Sequence, residues 1–141
     1  MKNTWAVAFF IFSLIFWLQC QPHSPKQAPI NPNGDSEMAL LMRAMFEECA
    51  NLGENIEKGK INPLKVGLED LLTAEGTQPE KVNSPEFKAM AKSYLDIVNY
   101  FNEEEDINPE QGYTMVLNSC ITCHQAMCPG PIKKIEKLLP Q

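Results

Sequence analysis

The sequence predicts an all-α protein, an antiparallel four-helix bundle. Three observations predict it. Apolar residues recur at helical spacing in four successive segments, and cap residues and prolines punctuate each of them. Nowhere do apolar and polar residues alternate convincingly as they would in a half-buried strand. Short loops between amphipathic helices then set neighbours antiparallel.

The chain opens on a segment outside this pattern. Lys2 supplies a positive charge, and Trp5 to Leu18 is an apolar run broken only by Ser13. That is the shape of an export signal over residues 1–19, shorter than the span of about 20 residues that a membrane helix needs. No small-x-small cleavage site follows; the run ends at Leu18-Gln19-Cys20. The ending resembles a bacterial lipobox, with Gln19 where Gly, Ala or Ser is usual, and makes Cys20 the candidate for lipid attachment. Ordinary cleavage nearby and an uncleaved anchor are the alternatives. Residues 20–34 carry Pro22, Pro25, Pro29 and Pro32 and almost nothing apolar. They read as a semi-extended tether reaching about 3 Å per residue, with His23 solvated within it. The expected location is periplasmic or otherwise extracytoplasmic, anchored to a membrane as a lipoprotein.

Removal of the first 19 of 141 residues leaves enough chain for one domain, 35–141. The net charge of −6 becomes −7 with the loss of Lys2. An acidic domain lacks the basic stripe that nucleic acid requires.

Asp35 or Ser36 caps the first helix. Met38, Met42, Met45, Cys49, Leu52 and Ile56 follow on one stripe that ends near Gly59. Asn62-Pro63 opens a shorter second helix with Leu64, Leu68, Leu71 and Leu72 on one side, closed by Gly76. Ser84-Pro85 opens a third, with Phe87, Met90, Ala91, Tyr94, Val98 and Phe101 inward. The acidic run Glu103 to Asp106 falls mostly in the loop before the fourth, where it suits the next helix N-terminus. It reads as a solvated cluster, with a docking site for a basic redox partner as the alternative. Asn108-Pro109 caps and starts the fourth helix, whose stripe is Tyr113, Leu117, Cys120 and His124. Pro129-Gly130-Pro131 must break it, and a short terminal helix over Ile132 to Leu139 follows.

The fourth helix carries Cys120-Ile121-Thr122-Cys123-His124. Two thiols three positions apart can each add to one vinyl group of a porphyrin, and the adjacent imidazole then faces the iron from the same side. One covalent haem c on the last helix is the reading, with Cys120 and Cys123 as thioether anchors and His124 as proximal ligand. With only 17 residues after His124, a sixth ligand from protein must come from upstream.

Signal, helix order and motif position together make the chain similar to the class II cytochromes c, cytochrome c-prime and its methionine-ligated low-spin relatives, over residues 35–128. Leu41-Met42-Arg43-Ala44-Met45 resembles the hydrophobic-Met-basic-x-Met segment of their first helix. The resemblance implies Met42 as the distal iron ligand. Plain core packing is the alternative for Met42, since methionine fills irregular space well. The chain departs from the family where a basic residue is usual one turn beyond the haem histidine; Cys128 stands there.

Cys49 and Cys128 remain. If Met42 faces His124 across antiparallel helices, these two lie roughly 16 Å apart at about 1.5 Å per residue. A disulfide needs Cα atoms within about 7 Å. Met42 ligation and a Cys49–Cys128 bridge therefore exclude one another, unless the Pro-Gly-Pro break folds Cys128 back, and the two thiols are left unassigned.

The leading expectation is electron transfer by a His/Met-ligated haem, without catalysis, serving redox partner proteins; a homodimer through the first two helices is open. The alternative is a five-coordinate haem that binds nitric oxide or carbon monoxide. More remote are a thiol–disulfide protein using Cys120 and Cys123, or a zinc site completed by His124 and Cys128.

Overall fold

In the computed structural model, which describes residues 34–140, three long helices begin at three side-chain caps. Helix α1 spans Glu37–Glu57, where Ser36 Oγ accepts the Ala39 N–H at 3.3 Å. A four-residue helix, α2, spans Pro79–Val82. Helix α3 spans Pro85–Glu103, with Ser84 Oγ accepting from Phe87 at 3.1 Å. Helix α4 spans Pro109–Met127, with Asn108 Oδ1 accepting from Gln111 at 3.0 Å. Each cap satisfies a donor that the first helical turn leaves without a carbonyl. The terminal helix is α5, Ile132–Ile135, continued by a 3₁₀ turn at Glu136–Leu138. The chain is all-α among the described residues. The signal segment 1–19, Cys20 and the tether up to residue 33 lie outside them.

The expected second helix is not formed. Residues 60–78 are irregular, with turns over 66–73, though Leu64 and Leu71 still reach the core at 1% and 2% exposure. Gly67 sits at φ +87° in the middle of the leucine pattern, a left-handed conformation that no right-handed helix tolerates. The backbone here takes its partners from side chains instead. Asn102 clamps Leu64 from both sides, its Oδ1 accepting the Leu64 N–H at 2.9 Å and its Nδ2 donating to the Leu64 carbonyl at 2.7 Å. The Glu48 carboxylate accepts from the N–H groups of Lys65 and Val66, each at 2.9 Å.

Gly67 has a second role. A Cβ there would come 2.9 Å from the Met45 sulfur. Gly67→Ala therefore meets both backbone strain and collision and should cost about 2 kcal/mol or more. Urea unfolding of the variant measures this; an unchanged midpoint would contradict the assigned conformation.

Helix α4 is the central element. It packs along α3, from which a short loop separates it, and also against α1, α5 and the terminal 3₁₀ turn. The core draws Met45, Cys49 and Leu52 from α1; Phe87, Ala91, Tyr94, Val98 and Phe101 from α3; and Tyr113, Val116 and Leu117 from α4. Two close approaches fix the register. The Phe101 ring lies against Gly112, and the Tyr113 phenol ends against Gly53, where a Cβ would meet the hydroxyl at 2.7 Å. Among the described residues no helix is long and apolar enough to cross a membrane.

Candidate functional site

The last two turns of α4 carry Cys120, Cys123 and His124, and the helix directs them differently. Cys120 packs into the core toward α1, where its thiol meets that of Cys49. Interaction with the Cys49 thiol lowers the Cys120 thiol from its ordinary value against the opposing effect of burial. The same contact, with burial behind it, raises Cys49. Cys123 lies on the other side of the helix. It lines an open cleft of about 360 Å³ between α3 and α4, whose apolar wall includes Met90, Ile97 and Met115. Burial there raises the Cys123 thiol, and nearby Cys120 adds to the rise.

His124 is half-buried, and its Nδ1 lies 2.9 Å from the Cys128 carbonyl oxygen. A carbonyl only accepts, so Nδ1 carries a proton, and Nε2 is the nitrogen left to a metal. The helix end creates this bond. Cys128 leaves helical geometry at φ −158°, ψ 81°, just before Pro129-Gly130-Pro131. Its carbonyl thereby becomes available to the ring one turn back. A backbone carbonyl on the remote nitrogen is the partner that metal-binding histidines commonly use to fix tautomer and orientation.

Met42 is half-buried and packs against the core from α1. With Cys49 opposite Cys120, Met42 lies seven residues further along α1 and His124 four further along α4. The two differ in level by only about 4.5 Å at about 1.5 Å per residue. Met45 is nearer the level of His124, but its sulfur packs on Gly67. Arg43 of the same segment turns away, forming a bidentate ion pair with Asp35 at 2.6 and 2.7 Å. The hydrogen bonds to Asp35, and then its charge, raise the already high pKa of Arg43.

Cys128 is exposed and Cys49 is 3% exposed, and both are free thiols. Cys49 faces Cys120 rather than Cys128. This contact was within reach of register arithmetic, since both residues lie on the same side of the Met42–His124 level. Lys81 had no sequence signal at all. Its Nζ donates to the Met127 carbonyl at 3.3 Å, placing a cation at the end of α4. That is favourable against the helix dipole and puts positive charge near the position that Cys128 occupies in sequence. Among the described residues no group of three or more His, Cys, Asp or Glu is arranged to hold a metal ion.

Burial pushes the Tyr113 phenol up to about 12, with the Cys49 and Cys120 sulfurs adding to it, and raises Tyr94 in the same way. The folded chain thus keeps phenolic protons that the unfolded chain loses near about pH 10. Their stabilisation is full below that pH and is lost as pH rises through about 12. Urea midpoints should fall over this alkaline range and fall less steeply in Tyr113→Phe; superimposable profiles would contradict the assignment.

Compared with protein-family models, curated proteins and solved structures, the chain finds no match.

Proposed function

We propose that this chain is an exported monohaem c-type cytochrome that carries electrons. The observation that carries the reading is the His124 ring, held through Nδ1 by the Cys128 carbonyl with Nε2 left to bind iron, on the helix that bears Cys120 and Cys123. The residues fit the group. Of two free thiols, Cys120 stands one turn from a tautomer-fixed imidazole and Cys123 stands next to it in sequence, opening on a cleft with an apolar wall. Bound there, haem supplies a one-electron couple whose potential the axial ligands and surrounding dielectric set. Cys120 and Cys123 would hold it and His124 would ligate it, with Met90, Ile97 and Met115 as apolar neighbours on the Cys123 side.

In this proposal the bundle has four sides, with the turns of residues 60–78 in place of the expected second helix. Met42 would supply the second protein ligand to the iron, and its thioether would raise the potential and compete with small gases for the metal. Export, lipid on Cys20 and passage of electrons to redox partner proteins belong to the same reading.

Two measurements test it. Acidified organic solvent should leave the haem with the polypeptide; transfer to the organic phase rules out thioether attachment. The reduced protein should then resist carbon monoxide, and Met42→Ala should bind it readily. Equal binding by both proteins would remove Met42 from the iron and favour the five-coordinate, gas-binding alternative.

A further inference from the structure

Cys49 is a third sulfur set against the site, and nothing in the attachment chemistry uses it. Its position is built by the fold. The Tyr113–Gly53 approach shows how closely α1 and α4 pack. One turn along α1 from Gly53 brings Cys49, and two turns along α4 from Tyr113 bring Cys120. Cys49, at 3% exposure, belongs to the core, Cys120 packs against that core at the neighbouring level of α4, and each thiol shifts the other's proton affinity. Cys123 points instead into the α3–α4 cleft, and Cys128 is exposed beyond the helix end. The sulfur partner of Cys120 is therefore Cys49 and not the other half of its own motif.

We propose that the haem-free protein oxidises to a Cys49–Cys120 disulfide, and that this cross-link blocks haem attachment until a thiol reductant opens it. The cross-link stands on the packing of α1 against α4; its effect on attachment rests on the cytochrome reading. The exchange is balanced by a disulfide-bearing oxidant, whether a small-molecule disulfide or a thiol–disulfide exchange protein. The Cys120 thiolate attacks the oxidant and forms a mixed disulfide, and Cys49 then displaces the second oxidant sulfur. Two thiols lose two protons and two electrons, and the oxidant leaves as two thiols. Cys120 is suited to attack first, because the Cys49 S–H stabilises its thiolate. Thioether formation adds a thiol S–H across a vinyl double bond, and a sulfur already in an S–S bond has no hydrogen to add.

The test uses the full chain, exported in a host without haem-attachment machinery. The protein is equilibrated with glutathione disulfide, its free thiols are alkylated without reduction, and its peptides are mapped by mass. The expected product joins the Cys49 and Cys120 peptides, with Cys123 and Cys128 alkylated. A Cys120–Cys123 link, a Cys49–Cys128 link or four alkylated thiols overturns the cross-link. In a host with the machinery and no added reductant, Cys49→Ser should raise the haem-bearing fraction several-fold, with Cys49→Ala as a second variant should serine fail to fold. An unchanged fraction overturns the block on attachment. If no protein takes haem under any condition, the cytochrome reading falls, while the peptide map still decides the cross-link.

Discussion

His124→Ala should remove the ligand of the iron on the thioether side and leave α4 standing. The helix does not depend on the ring. Its last turn keeps the Cys128 N–H bond to the His124 backbone carbonyl at 3.0 Å, and alanine favours helix. Helical circular dichroism and urea stability of the haem-free protein should therefore change little. Haem binding should change greatly. Losing an outer partner of a metal ligand typically costs about 10- to 100-fold, and losing the ligand itself should cost at least as much. Haem yield per exported chain measures this, together with the spin state of whatever haem remains. An unchanged yield and spectrum would show that His124 does not bind iron.

The largest stability effect is expected at Leu117→Ala. Leu117, on α4, is 1% exposed in the core. Deletion of three buried carbons from such a site costs about 2–5 kcal/mol, the range reflecting how far neighbours collapse into the gap. In a domain of this size that lowers the thermal midpoint by on the order of 10 °C or more. Met115, on the same helix but 40% exposed at the cleft, is the contrast. Met115→Ala should stay within about 0.5 kcal/mol in the haem-free protein. Equal losses at both positions would mean that the assigned faces of α4 are wrong.

The long helices were legible in the sequence because local signals agreed with one another. Ser36, Ser84 and Asn108 each cap where the apolar stripe begins, and the inward residues expected on α3 are buried, with Met90 half-buried at the cleft. The segment 60–78 misled because leucine spacing fits a helix as well as it fits a run of turns. What decides it is non-local: Gly67 at positive φ against Met45, and the carboxylate and amide of Glu48 and Asn102 supplying the backbone partners. The candidate site divides in the same way. Cys120, Cys123 and His124 are adjacent in sequence and legible there. The Cys128 carbonyl on the His124 ring depends on how the chain leaves α4, and the Cys49–Cys120 contact depends on the α1–α4 register. Neither has a signal in local residue pattern.

The central claim is that Cys120 and Cys123 carry haem through their sulfurs. The most direct measurement is the intact mass of the mature protein taken from the membrane fraction, paired with a pyridine haemochrome spectrum of the same sample. The proposal predicts the mass of the processed chain plus one haem and any acyl groups, with the spectrum of a haem that has lost both vinyl groups. A mass accounted for by amino acids and acyl groups alone would contradict it.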